Sequence, residues 1–255
     1  MTQRITITAL KGIKQVVAGD DLARIVLAGF AATSLTPRAG DVLVVAQKIV
    51  SKAEGRTVDL AKVVPSARAL DLAQVTRKDA RLVELILSES AEVLRAIPGV
   101  LIVRHRLGYV MANAGIDHSN VMNTGDSQRV LLLPLDADAS AAELRDKLKA
   151  ALGFDIAVIV SDSFGRPWRI GVVNVALGVA GLPSLIDRRG ETDLYGRTLE
   201  MTQVGFADAL AAGAGLAMGE AAEGTPAVLI RGVSWQATAC NAQHLIRPLG
   251  EDLFR

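Results

Sequence analysis

Ser161-Asp162-Ser163 places a carboxylate between two hydroxyls, directly after the uninterrupted apolar run Ile156–Val160. Such a run reads as a buried strand, and the carboxyl end of a buried strand is where α/β-type architectures place ligands. A carboxylate beside hydroxyls is hard-oxygen chemistry, suited to Mg²⁺ or Mn²⁺. Phe164-Gly165-Arg166-Pro167-Trp168-Arg169 follows at once. Arg166 and Arg169 next to an acidic centre would suit an anionic substrate. An Asx turn with solvated arginines accounts for the same residues equally well.

Two further polar clusters follow apolar runs. Asn113-Ala-Gly115-Ile-Asp117-His118-Ser119-Asn120 offers Asp117 as a second metal carboxylate. A turn closed by side-chain-to-backbone bonds is the stronger reading of such an Asn/Asp/Gly/Ser loop. Gln47-Lys48-Ile-Val-Ser51-Lys52 follows the Val-rich run Asp41–Ala46. Its lysines could meet phosphates, although on spacing alone an exposed basic turn is favoured. Arg188-Arg189-Gly190-Glu191-Thr192-Asp193 is a mixed-charge loop, either for substrate or for solvent.

Several familiar patterns fail. No G-x-x-x-x-G-K-[ST] loop is present. In Gly213-Ala-Gly215-Leu-Ala-Met-Gly219 the third glycine comes one residue late for a dinucleotide loop, so these small residues read as a helix-packing face. Asp136-Ala-Asp138-Ala-Ser140 begins like a calcium loop, but Ala141 stands at the glycine position and Lys147 at the bidentate glutamate position. It reads instead as a helix cap. No Ser–His–Asp order and no H-E-x-x-H pattern appears. Group transfer guided by metal and positive charge is the more natural chemistry.

These clusters need elements to hold them. Met1–Leu10 alternates like a strand, and Gly19-Asp20-Asp21 caps a helix over Leu22–Phe30. Ser66–Ile97 has mostly helical apolar spacing and reads as one long helix or a broken pair, ended by Pro98-Gly99. Val100–Val103, Tyr109–Met111, Val130–Leu133, Val172–Leu177 and Ala227–Ile230 are strand candidates. Ser140-Ala-Ala-Glu143 is a capping-box pattern opening a helix to about Leu152, stopped by Gly153. Thr202–Met218 reads as an Ala- and Gly-rich helix. Strands and helices do not alternate strictly, which favours an α+β fold with mixed β-sheets and packed helices.

The chain of 255 residues suffices for one large domain or two intertwined lobes. Half of it is hydrophobic and the mean hydropathy is +0.32, which excludes a disordered chain. Lys and Arg number 28 against 27 Asp and Glu, so no global charge draws it to nucleic acid or anionic lipid. With Cys240 as the one cysteine, no intrachain disulfide and no cysteine-rich metal site can form. The N-terminus is not a signal peptide's apolar core, and no apolar run could span a bilayer. A reducing, cytoplasmic compartment is expected, with no membrane partner.

Four blocks occur together in order: VAQKIVSKAEGR (Val45–Arg56), NAGIDHSNV (Asn113–Val121), SDSFGRPWR (Ser161–Arg169) and MGEAAEGTPAVLIRG (Met218–Gly232). With them the chain resembles, essentially end to end, the coenzyme F420:L-glutamate ligase family, also called F420-0:gamma-glutamyl ligase. The resemblance implies a GTP-dependent amide ligase of coenzyme F420 biosynthesis. It would join L-glutamate to F420-0 through an acyl phosphate and then add further γ-linked glutamates. It also implies two divalent ions, Mg²⁺ or Mn²⁺, with K⁺ as an accessory ion, and an intertwined homodimer. By motif, Asp117, Asp162, Ser163 and Glu220 become metal-binding positions. Ile13, Lys14, Gln15, Val16, Gln47, Lys48, Lys52, Asn120, Met218, Gly219, Ala221, Ala222, Glu223, Gly224 and Thr225 fall on nucleotide-binding positions. No general base is assigned. Glu220 stands where the family often has Gln, and Gly12-Ile13-Lys14-Gln15-Val16 departs from the usual Gly-Leu-Pro. Arg166 and Arg169 are candidates for holding the substrate's phosphate, and Phe164–Trp168 with Tyr195–Gly196 for excluding water. Some relatives carry a nitroreductase-like flavin domain at the C-terminus, which is not expected here. A metal-dependent phosphohydrolase, or a non-catalytic deazaflavin- or nucleotide-binding protein, would keep the same residues.

Overall fold

The computed structural model describes residues 4–119 and 128–252. A first strand, β1 (Thr6–Ala9), precedes helix α1 (Leu22–Ala32), which begins where Asp21 accepts the Ala23 and Arg24 amides. Strand β2 (Val42–Ala46) runs without a loop into helix α2 (Gln47–Ala53), and β3 (Thr57–Asp59) follows. Helices α3 (Ala67–Thr76) and α4 (Ala80–Ser88) lead into β4 (Ser90–Ile97), β5 (Val100–His105) and β6 (Val110–Ala112). Beyond β7 (Arg129–Leu131), helix α5 (Ala137–Leu152) precedes the long hairpin of β8 (Ala157–Arg166) and β9 (Arg169–Ala180). The chain continues through β10 (Leu185–Asp187), β11 (Gln203–Gly205), α6 (Phe206–Met218) and β12 (Ala227–Arg231).

The central sheet has the order β1-β12-β2-β8-β9. Its β2–β8 pair is parallel and its other pairs are antiparallel. Side chains alternate across it, so the two faces are legible residue by residue. Leu43, Val45, Val158, Val160 and Leu229 pack on one face against Val26 and Phe30 of α1 and Leu144 and Leu148 of α5. Val42, Val44, Ile159, Val228 and Ile230 pack on the other against Ala207, Leu210, Ala211 and Met218 of α6. A sheet covered on both faces explains why β2 and the first half of β8 are continuous apolar runs. A smaller cluster joins α4 and β5 through Val83, Ile86, Leu101 and Val103. The fold is α+β with mixed sheets, as expected. No helix among the described residues is long and apolar enough to cross a membrane.

Four expectations need correction. The apolar spacing over Ser66–Ile97 does give a helix pair, but Ser90–Ile97 is a strand paired with β5, and Pro98-Gly99 is the turn of that hairpin. Register shifts at Ser90/Glu92 and Val93/Arg95 break the two-residue alternation, which is why Val93 and Leu94 mimic helical spacing. Asp136 caps α5, accepting the Ala139 amide at 3.0 Å, while Ser140 sits inside the helix with its hydroxyl on the Asp136 carbonyl. The helix expected from Thr202 begins at Phe206, because Gln203–Gly205 pairs with β10. Finally, β8 does not end at Val160 but continues through Asp162 to Arg166, sustained by its ladder with β9 rather than by burial.

Candidate functional site

Two chain segments leave the central sheet side by side. Strands β2 and β8 are parallel with Ala46 opposite Ser161, so Gln47 and Asp162 follow at the same level. The Gln47–Lys52 segment is a helix and not an exposed turn: Gln47, Ile49, Val50 and Ser51 are buried. Helical spacing then sets Lys48 and Lys52 on one face, and both line a cleft of about 450 Å³.

A β-bulge lies where β8 enters this cleft, with the register shifting between Val160 and Ser161. On β9 the extra residue is Leu177, whose carbonyl accepts the Tyr109 hydroxyl. Bulges re-aim the side chains beside them, and Ser161, Asp162 and Ser163 all reach the cleft wall. The opposite wall is the segment after α6. Gly219 turns the chain with φ +74°, where a Cβ would stand 2.3 Å from the Glu223 side chain. Thr225 Oγ1 donates to the Met218 carbonyl at 2.9 Å and the Ala221 amide to Glu223 at 2.8 Å, closing the loop on itself. Ser163 Oγ donates to Glu220 Oε2 at 2.7 Å and ties the two walls together.

Of the positions singled out by motif, Ile13–Val16, Lys48, Lys52, Asp162, Ser163 and Met218–Thr225 line this one cleft. Gln47 is buried behind it. Asp117 meets it through Lys48, whose Nζ stands 2.7 Å from Oδ2. The Asp117 loop is also the turn that its composition favours, since Oδ1 accepts the Ser119 amide at 2.6 Å and hydroxyl at 2.7 Å. The turn and the charged site are therefore one structure. Asn120 lies outside the described residues. Arg166 and Arg169 stand at the far end of the hairpin and do not line the cleft. Trp168 and Tyr195 are 90% and 91% exposed, so neither closes over it.

Asn174 was missed. It faces Ser163 across the hairpin, lines the cleft and is 5% exposed. Gly215 of α6 makes room for it, because a Cβ there would lie 2.3 Å from the Asn174 amide nitrogen. This bears out the packing reading of that glycine pair. The available signal was an amide interrupting an otherwise apolar strand.

Burial pushes the Asp162 carboxyl up to about 7. The Asp117 charge adds to that push, while the Ser163 amide, Lys48 and Gln47 oppose it. Burial also acts to raise Asp117, but the bonds from Lys48 and Ser119 outweigh it and hold that carboxyl below its ordinary range. Burial, aided by Lys48, lowers the Lys52 ammonium, with Asp117 opposing. A buried carboxylate whose charged form is poorly solvated is one that a divalent cation would stabilise, so the donor set fits one. Among the described residues no three His, Cys, Asp or Glu side chains converge. Asp162, Ser163 and Glu220 line the cleft and Asp117 borders it through Lys48, oxygen donors of the kind that Mg²⁺ takes with one or two carboxylates.

The family model described as F420-0:Gamma-glutamyl ligase matches residues 12–232. Coenzyme F420:L-glutamate ligase of Methanothermobacter thermautotrophicus is 46% identical over 253 residues, 98% of this chain and 99% of that protein. The protein of the same name from Methanopyrus kandleri is 45% identical over 246 residues, 95% of this chain and 94% of its own. That of Archaeoglobus fulgidus is 40% identical over 252 residues, 99% and 97% of the two chains.

Proposed function

The chain belongs to the F420-0:gamma-glutamyl ligase family, and from that premise we propose that it forms the amide bond between L-glutamate and coenzyme F420-0, with GTP as phosphoryl donor. The observation that carries this reading is the gathering of Lys48, Lys52 and Asp162 in one cleft walled by the Met218–Thr225 loop, with Asp117 bound to Lys48 at its edge.

Two anions must meet in such a reaction, the γ-phosphate of GTP and a carboxylate of F420-0. The carboxylate oxygen attacks phosphorus, the bond to the β-phosphate breaks, and GDP departs. The amine of glutamate then attacks the acyl carbon and releases phosphate, and further γ-linked glutamates are added in the same way. Lys48 and Lys52 screen the repulsion and follow the charge on the transferred group. Ile13–Val16 and the Met218–Thr225 loop hold the nucleotide from either side. Asp117, Asp162, Ser163 and Glu220 would hold two divalent ions, Mg²⁺ or Mn²⁺, which would neutralise phosphate charge, with K⁺ as an accessory ion.

Water must be kept from an acyl phosphate. Trp168, Ile170, Leu194, Tyr195 and Met201 are large and exposed. They support an intertwined homodimer in which a second copy covers them and helps to close the site. The test is an endpoint assay of the purified chain with F420-0, L-glutamate, GTP and Mn²⁺, read by mass spectrometry. One or more glutamyl units added, matched by GDP and phosphate, is the expected result. GDP without a glutamylated product would replace the ligase by a phosphohydrolase, and bound F420-0 without turnover would replace it by a carrier.

A further inference from the structure

Gln47 is 1% exposed, and the two ends of its amide face different neighbours. Its Oε1 accepts the Ser51 hydroxyl at 2.8 Å, one helical turn further along α2. Its Nε2 is buried and makes no hydrogen bond within ordinary limits among the described residues. Ala46 lies opposite Ser161 in the parallel pair, so Gln47 and Asp162 are the next residues on two adjacent segments and leave the sheet on the same side.

The orientation of the amide follows from these neighbours. An amide offers two N–H donors at one end and an acceptor oxygen at the other. Reversed, Gln47 would set its oxygen against the Asp162 carboxylate. A carboxylate selects the orientation with the amide nitrogen toward it, and the Ser51 hydroxyl, which can donate or accept, donates to the oxygen that this orientation turns its way. A buried N–H without a partner is unfavourable, and a small rotation of the Asp162 carboxylate would satisfy it.

We propose that Gln47 is a positioning residue for Asp162, its amide fixing the carboxylate in the orientation that receives a divalent cation while Ser51 fixes the amide. This rests on the reading of the cleft given above. Partners behind a ligand are worth about 10- to 100-fold in metal affinity.

The experiment is calorimetric titration of Mn²⁺ alone into the full chain, without nucleotide. Gln47→Leu should weaken Mn²⁺ binding by about 10- to 100-fold. Ser51→Ala should weaken it by about two- to tenfold, the range of one hydrogen bond. In an Asp162→Asn background, Gln47→Leu should add nothing, an outcome that a merely structural role would not give. Wild-type Mn²⁺ affinity in Gln47→Leu, or a loss confined to the GTP KM, would overturn the proposal. Should Gln47→Leu fail to fold, unchanged affinity in Ser51→Ala overturns it equally. A wild-type chain that binds no Mn²⁺ overturns the metal assignment of the proposed function as well, a result distinct from these.

Discussion

Asp117 and Asp162 are both stabilised in their charged forms by Lys48, yet their surroundings drive them in opposite directions. Asp117 lies in a turn that supplies the Ser119 amide and hydroxyl to one oxygen and Lys48 to the other. Asp162 lies on a strand emerging from the core, where burial outweighs what Ser163, Lys48 and Gln47 supply. A short loop can fold around a charge and satisfy it locally. A strand committed to its ladder cannot, so its carboxylate depends on what other elements bring. The self-sufficient carboxylate is structurally secure, and the under-satisfied one is the better place for incoming positive charge.

The largest expected effect sharpens this contrast. Asp162→Asn should lower glutamyl transfer by about 10²–10³-fold, the scale on which removal of one preorganised electrostatic group acts, measured by product mass spectrometry. The same variant should raise thermal stability at pH 8, by about 2–4 °C for each kcal/mol of buried charge relieved. The signs of the two pH dependences are opposite. Folding raises Asp162 from 3.8 to about 7, so the folded state holds an extra proton between those values and stability falls as pH rises through the window. Folding lowers Asp117 below 3.8, so its contribution is present above that value and is lost as pH falls through the lower folded pKa. Melting curves of Asp117→Asn and Asp162→Asn across pH 3–8 should each lose one of these slopes; identical curves would break the comparison.

Lys48→Met comes next. It strands Asp117, and the cost should be about 1–2 kcal/mol, between an exposed and a buried pair, read from denaturant midpoints. Nucleotide affinity should fall in the same variant. Lys52→Arg is subtler. Because the Lys52 ammonium is held below its ordinary range, wild-type nucleotide affinity should decline on the alkaline side earlier than an unperturbed lysine would allow. Arginine keeps its charge there and should carry that decline to higher pH. Trp168→Ala is the smallest: the ring is 90% exposed, so the stability of an isolated chain should change by less than about 0.5 kcal/mol. A larger shift would mean that the hairpin end is buried in solution against another surface.

The walls of the cleft were legible because their residues form contiguous blocks. Ile13–Val16 and Met218–Thr225 each act as a segment, and the structure sets both against Lys48 and Lys52. The fold class was legible in the same way, since apolar runs in β2 and β8 are unmistakable when a sheet is covered on both faces. Asn174 was not, because a lone amide in a strand reads as an outward residue until the facing helix supplies a glycine for it. Nor was the strand character of Ser161–Arg166, where hydrogen bonding to β9 sustains an extended chain that composition assigns to a loop. Ser90–Ile97 was misread for a third reason, two bulges that disguise its period.

The parallel pairing of β2 with β8 carries a kinetic consequence. The Ser161 hydroxyl and the Val45 carbonyl that it approaches are 116 positions apart in the chain. No hairpin can bring them together, so closing that long loop must precede any gain from the contact. Lys48 and Asp162 sit just beyond this seam and come together only once the seam has formed. Formation of the cleft therefore waits on the closing of that loop, and chains in which it has not closed expose Lys48 and Lys52 before Asp162 stands near them.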